Sequence, residues 1–296
     1  MVFGFVILHY MDLEVTKKCI DKVLNIKLNG NQVKIVIVDN ASPNGSGEKL
    51  RRLMEKEKNV FVICSKKNLG FASGNNLGYR FLKEKFAIDF AIVINNDIFI
   101  DDNLILDKIE NEFLKSGFDV LGPDIISLTS FKHQNPAHEK EFTIKELKEI
   151  KRKNDKFIRY YTFYKMRSSL KKLFFNKFQD KRPAKSSNKY EKNKRVNVVL
   201  HGSCYIMSRN FIKENDLLFY NKTFMYFEED IFFFICSKKG YKIVYTPGIK
   251  VFHVEDVATN LSQKNSEEKK LYKIKLMNNS IDELIRLKTE EIKNEN

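Results

Sequence analysis

Three acidic sites stand where carboxylates could do chemistry. VDNAS (38–42) and INND (94–97) each close an apolar, β-branched run, which sets Asp39 and Asp97 at strand ends, and MYFEED (225–230) puts Glu228, Glu229 and Asp230 at the start of an apolar helical run. Ligands of open α/β sheets bind beyond the carboxyl ends of strands. Asp39 is therefore placed to meet a nucleotide, and Asp97 to hold a hard divalent cation against phosphate. An acid at a helix start can take a proton from a hydroxyl if it lies within hydrogen-bond reach. A helix spreads consecutive acids by about 100° per residue, so the three cannot all face one ligand. Plainer readings stand beside these: Asp39 capping a turn with Asn40 and Ser42, and the acid triplet favoured by the helix macrodipole. Asp101 and Asp102 suit the start of a helix and are read that way. A dinucleotide site would also want glycines in the first strand-to-helix turn, and HYMDLEV (9–15) has none, which argues against NAD.

Two further segments could touch a ligand. KNLGFASGNNLGY (67–79) crowds Asn68, Gly70, Gly74, Asn75 and Asn76 into the opening of a helix, where amides and close backbone approach suit a polyol or a diphosphate, although ordinary loops and caps use the same residues. HGSCYIM (201–207) offers Gly202 for close approach to the backbone, with His201 unassigned. His253 closes the apolar run KVFHV (250–254) and is either a satisfied core residue or a metal ligand.

These residues need a scaffold, and the first 125 residues supply its pattern. FVILHY (5–10), VKIVIVD (33–39), NVFVIC (59–64), FAIVIN (90–95) and the run around DVLG (119–122) read as strands. Val15, Cys19, Ile20, Val23 and Leu24, and the stretch from Phe71 to Phe86, recur at helical spacing between them. Alternation of this kind marks βαβ units and a doubly wound, mostly parallel sheet. Strand signals resume at VNVVLHGSCYIMS (196–208), then come a helical run around 226–239, YKIVYT (241–246), KVFHV, and a polar, helix-permissive stretch from about 265 with a weak apolar face.

Composition bounds the class. The chain has 296 residues, 43% hydrophobic and 31% charged, which excludes collagen, coiled coil and full disorder. Its four cysteines lie at least 32 residues apart, which argues for a reducing compartment over a zinc knuckle or disulfide framework. The apolar N-terminus runs into Asp12 and Glu14 after about ten residues and reads as a buried strand, neither a signal nor a span. The net charge of +15 is concentrated: residues 131–195 hold 21 Lys/Arg against 7 Asp/Glu.

VDNAS, NLGFASGNN, INND and FMYFEEDIFFFICSKKGYKIVYTPGIKVFH, in this order over roughly 1–125 and 196–255, resemble the family 2 glycosyltransferases of GT-A fold, in particular their rhamnosyltransferase-like bacterial branch. The resemblance implies an α/β fold with a mixed, mostly parallel sheet and a basic insertion. Its parts would be a nucleotide-sugar half (1–130), the insertion (131–195), an acceptor and catalytic half (196–260) and a helical tail (261–296). By the same resemblance Asp39 would accept from the base of a UDP- or dTDP-sugar, with the backbone at Leu8, His9 and Tyr10 lining it, and Asn68, Gly70 and Asn75 along the donor. Asn95-Asn96-Asp97 stands where the family has D-x-D, with Asn95 in place of the first Asp, so Asp97 would hold Mg2+ or Mn2+, with His253 completing the ligands. Asp230 would be the base that activates an acceptor hydroxyl, Glu229 the fallback, and Gly202 would admit the acceptor sugar. The expected reaction is inverting transfer onto a polysaccharide or lipid-linked oligosaccharide in bacterial surface-glycan synthesis. A catalytically inactive GT-A subunit is the alternative, and a nucleotidyltransferase a more distant one.

Within the insertion, FIRYYTFYKMRSSLKKLFFNKF (157–178) sets Phe163, Met166, Leu170, Leu173 and Phe174 on one helical face with Arg159, Arg167, Lys171 and Lys172 largely off it. Such a helix suits an anionic membrane surface and a cytoplasmic enzyme held peripherally on the inner face of the membrane. The plainer alternative is that it packs on the enzyme's own core or a partner subunit. No nucleic-acid motif accompanies the charge, so no nucleic-acid partner is expected; a homo-oligomer is possible.

Overall fold

The computed structural model describes residues 1–166, 190–255 and 266–295. Its first half runs β1 (Val2–His9), α1 (Leu13–Leu24), β2 (Gln32–Asp39), α2 (Ser46–Leu53), β3 (Val60–Cys64), α3 (Gly70–Lys85), β4 (Phe90–Asn95), β5 (Ile98–Phe99), α4 (Ile105–Ser116) and β6 (Val120–Ser127). There follow α5 (Ile144–Met166), β7 (Arg195–Val196), β8 (Cys204–Met207), α6 (Arg209–Glu214), α7 (Glu228–Lys238), β9 (Ile243–His253) and α8 (Ser266–Glu295).

The strands form one sheet in the order β3-β2-β1-β4-β8-β6-β9-β5, with β7 added against β9. The β3-β2-β1-β4 half is parallel, as helical crossovers require. β8 enters antiparallel between β4 and β6, and β6 pairs β9 in parallel. Alternation within β1 divides the core: Phe3, Phe5 and Ile7 face a cluster with Cys19, Ile20 and Leu106 of α1 and α4, whereas Val6 faces Tyr79 and Leu82 of α3. Local signals fix the helix ends. The Asp12 carboxylate accepts from the Val15 N–H to cap α1, and Gly117 closes α4 at φ 60°.

Two strand expectations change. The run 196–208 yields only the short β7 and β8, since Asn197 turns left-handed at φ 55° and ends the first after two residues. The two runs 241–246 and 250–254 belong to one strand, β9, whose register against β6 jumps between Pro123 and Asp124. Proline lacks the N–H a regular ladder needs there.

A third apolar cluster lies behind α7. Leu147 of α5, Ile231 and Phe234 of α7, and Ile281 and Leu284 of α8 are all buried together. Asn278 bridges Asn154 and Asp155, Lys151 pairs with Asp282, and the Lys288 ammonium stands 4.7 Å over the Phe234 ring. The described start of the 157–178 segment takes part: Tyr161 is buried and Lys270 lies 5.0 Å over Phe157. Phe163 and Met166 lie where only the backbone is described, and Arg167, Leu170, Lys171, Lys172, Leu173 and Phe174 lie outside the described residues. Among the described residues no helix is long and apolar enough to cross a membrane.

Candidate active site

Strand register brings the predicted residues to one edge. His9 pairs with Asp39 and Leu8 with Asn95 at the carboxyl ends of β1, β2 and β4. Antiparallel β8 starts at the same edge, where the Asn95 N–H donates to the Ser203 carbonyl at 3.0 Å, and Ser127 pairs with His253 where β6 and β9 end. Four strands, β2, β4, β8 and β9, therefore deliver Asp39, Asn95, Asn96, Asp97, Gly202 and His253 to one rim.

Beneath Asp39 lies a polar chain that holds His9 in one tautomer. The Thr16 hydroxyl donates to the Asp12 carbonyl, so His9 Nδ1–H must donate to Thr16 Oγ1 at 2.7 Å, while Nε2 accepts from Ser46 Oγ at 2.8 Å. Burial pushes the His9 pKa down against the opposing pull of Asp39 and Asp12, in keeping with a neutral ring. Asn96 joins the chain through its amide, 2.9 Å from Thr16 Oγ1. Asp39 is 5% exposed and accepts from the Ser42 N–H at 3.2 Å, the turn contact its sequence suggested. Tyr10, 38% exposed, stands at the open rim.

Asn40 ties this rim to the 68–70 loop: its side chain accepts from the Leu69 N–H at 2.7 Å and donates to the Gly70 carbonyl at 3.1 Å. Asn68 accepts from the Gly70 N–H. Gly70 has φ 74°, and a Cβ there would meet the Phe224 carbonyl oxygen at 2.0 Å. Only glycine fits this contact between the 68–70 loop and the loop that leads to the acid triplet. Asn75 is fully buried in α3, its amide donating to the Phe71 carbonyl while its Oδ1 lacks a partner. Asn76 is a clamp, accepting from the Leu218 and Phe219 N–H groups and donating to the Phe219 carbonyl.

On the other side of Asn95, the Asp97 Oδ2 and His253 Nε2 face each other at 3.2 Å. The Gln134 amide donates to Glu255, so its Oε1 accepts from His253 Nδ1–H at 2.7 Å. With Nδ1 protonated, the Nε2 lone pair confronts a carboxylate oxygen, an arrangement that a shared proton or a cation must bridge. Among the described residues Asp97 Oδ1 is buried with no partner, and no three acidic, histidine or cysteine side chains converge on a metal position. The free carboxylate oxygen of Asp97 and the facing Nε2 lone pair of His253 are a two-residue donor set of the kind a divalent ion accepts.

The acid triplet opens α7 from a strained approach, Tyr226 at φ 74° and Phe227 at φ 63°. Glu229 Oε1 accepts from the Gly202 N–H at 3.3 Å, and a Cβ on Gly202 would lie 2.8 Å from that oxygen. Burial, together with the Asp230 charge, raises the Glu229 pKa. Glu228 is pushed up to about 8 by burial and by the Glu229 charge, and its Oε1 has no partner. Asp230, 6% exposed, accepts from His138 Nε2 at 2.8 Å.

His138, Gln134, Thr16 and Ser46 were missed by sequence reasoning. The first two fall in the Lys-rich segment, whose beginning is woven into the sheet edge. His133 bridges to Ile126 and His138 to Val199, and the Asn135 side chain donates to the Pro123 carbonyl and accepts from the His201 N–H.

Comparison with known proteins agrees with this architecture. The family model described as Glycosyl transferase family 2 matches residues 5–175, more than half of the chain. No curated protein matches it in sequence. Among solved structures, S. aureus TarS 1-349 is similar at 12% identity and TM-score 0.52, over 86% of this chain and 60% of that one. The same protein in complex with UDP-GlcNAc aligns at 13% identity and TM-score 0.54, over 93% of this chain and 64% of that one. Its complex with UDP aligns at 13% identity and TM-score 0.53, over 93% and 69%. The chain thus spans 60–69% of the length of those chains. At such identity the likeness concerns the fold, which is GT-A. With this sheet, this rim and the family match over residues 5–175, the chain belongs to glycosyltransferase family 2.

Proposed function

We propose that the chain is an inverting glycosyltransferase that moves a sugar from a UDP- or dTDP-linked donor to a hydroxyl of a polysaccharide or lipid-linked oligosaccharide in bacterial surface-glycan synthesis. The observation that carries this reading is the convergence of separate carboxylates, Asp39, Asp97 and the Glu229-Asp230 pair, on one sheet rim from independent elements. The complexes of TarS with UDP-GlcNAc and UDP support a uridine nucleotide as the first donor to try.

Asp39 holds the pyrimidine base against the backbone of Leu8, His9 and Tyr10, and the 68–70 loop lies along the donor. Asp97 and His253 hold a divalent ion, which when bound neutralises the departing diphosphate. Asp230 takes the proton of the acceptor hydroxyl as the oxygen attacks the anomeric carbon from the face opposite the leaving group, which inverts the configuration. Glu229, anchored on the Gly202 N–H, orients the acceptor and is the alternative base.

The stripe Lys148, Arg152, Lys156 and Arg159 on the exposed face of α5 supports attachment to an anionic membrane surface that would carry a lipid-linked acceptor. Turnover of a nucleotide-sugar panel tests the reaction. Asp230→Asn should abolish release of nucleoside diphosphate while leaving UDP affinity by calorimetry near wild type, and Asp97→Asn should remove the Mn2+ dependence of UDP binding. Near-normal turnover by Asp230→Asn would sink Asp230 as the base, and UDP affinity indifferent to Mn2+ in the wild type would remove the metal.

A further inference from the structure

Among the described residues, one side chain from outside its own helix hydrogen-bonds Asp230. His138 lies in the Lys-rich segment, 92 positions before Asp230, and its Nε2 stands 2.8 Å from Asp230 Oδ1. Its backbone is fixed: the Ala137 N–H donates to the Val199 carbonyl, and the Val199 N–H donates to the His138 carbonyl at 3.1 Å. The ring packs on Phe142 at 5.1 Å between centroids, and Phe142 in turn on Phe227, the strained residue before the acid triplet.

Two roles are open to a histidine touching a catalytic carboxylate. In a relay, the carboxylate orients the ring and the ring's other nitrogen takes the substrate proton. Here the carboxylate that the ring touches is itself the proposed base, so the ring stands behind that base, held there by Phe142 and by the bridge to Val199. Burial acts to lower the His138 pKa, but the hydrogen bond and charge of Asp230, the charge of Glu229 and the Ala137 contact outweigh it.

We infer that His138 is a positioning residue for the base: its Nε2–H holds Oδ1 of Asp230 and thereby presents Oδ2 to the acceptor hydroxyl. The proton removed from the acceptor goes to Oδ2, and His138 keeps its Nε2–H on Oδ1. The same short segment supports the leaving-group side, since Gln134 holds His253 by its Nδ1–H. A stretch that reads as an insertion thus braces both halves of the reaction. This inference rests on the proposed function, with Asp230 as base.

The test uses the full chain and two variants, His138→Phe, which keeps a ring but no donor, and His138→Gln, which keeps a donor but no charge. On the best donor of the nucleotide-sugar panel, His138→Phe should lower kcat about tenfold or more with the donor KM unchanged, and His138→Gln should recover a substantial part. Independently of turnover, the His138 imidazole titration followed by NMR should fall to lower pH in Asp230→Asn, and fall less in Glu229→Gln. Wild-type kcat in His138→Phe alongside an inactive Asp230→Asn would overturn the inference while leaving the base assignment intact. An unchanged His138 titration in Asp230→Asn would overturn it as well. An active Asp230→Asn would overturn the base assignment and this inference with it, and no turnover of any donor would overturn the proposed function as well.

Discussion

Gly70→Ala is the sharpest test of how the two halves of the site are joined, because its cost separates into two parts that a second glycine can calibrate. Gly30 and Gly70 are both left-handed, at φ 83° and 74°. An added Cβ at Gly30 meets nothing within 4 Å, so its substitution carries only the backbone penalty, roughly 1 kcal/mol. At Gly70 the Cβ would lie 2.0 Å from the Phe224 carbonyl oxygen and 2.8 Å from its carbon. Those atoms are backbone and cannot swing aside as a side-chain tip would. The loop must move, and the Phe71 N–H to Phe224 carbonyl bond of 2.9 Å goes with it. That bond contributes about 1 kcal/mol, and displacement of the buried Asn40 contacts a similar amount, so Gly70→Ala should cost about 3–4 kcal/mol. The unfolded-state effect of replacing glycine by alanine is common to both variants and cancels. At about 2–4 °C per kcal/mol for a domain of this order, thermal unfolding should drop by about 2–4 °C for Gly30→Ala and about 6–16 °C for Gly70→Ala. Equal shifts would refute the contact and with it the claim that the donor-side loop supports the approach to the acid triplet.

Gly202→Ala should behave differently, since its Cβ would meet the tip of Glu229 at 2.8 Å, a flexible end that can yield. Little change in melting temperature, with kcat reduced as Glu229 loses its 3.3 Å bond from the Gly202 N–H, is the expected outcome; a large melting shift with unaltered kcat would count against Glu229 facing the site. Glu228 supplies a pH signature. Burial raises its pKa to about 8, so the stability its protonated form retains is complete below its ordinary value and is lost as pH rises through about 8. Wild type should therefore lose melting temperature as pH rises from about 5 to about 8 and Glu228→Gln should lose less; identical slopes would show that the carboxyl is solvated.

How much of this was legible depended on the range of the interaction. Asp39 and Asp97 could be placed at a rim because VKIVIVD and FAIVIN are short, doubly buried runs whose ends announce themselves. The acid triplet was visible because it precedes an apolar helix. His138 was not, because the residue that gives it meaning lies 92 positions away and its neighbours are lysines that signal solvent. Nor did any periodicity report that β8 would enter antiparallel between β4 and β6, since those pairings join residues 85 to 116 positions apart through tertiary packing alone. Thr16 and Ser46 look like ordinary first-turn residues of α1 and α2 until His9 is seen between them.

The cluster behind α7 imposes an order on synthesis. Ile231 and Phe234 are covered by Ile281 and Leu284 of α8, and the Met225 carbonyl, just before the strained pair, accepts from the Ser280 hydroxyl. A nascent chain that has emerged as far as β9 already has its whole sheet yet leaves the apolar back of α7 bare. At translation speeds of about 5–20 residues per second, α8 follows only seconds later. During that interval the helix that bears the acids has an uncovered, sticky side, which makes this stage a natural target for a chaperone and a point of vulnerability to aggregation when the enzyme is made in quantity.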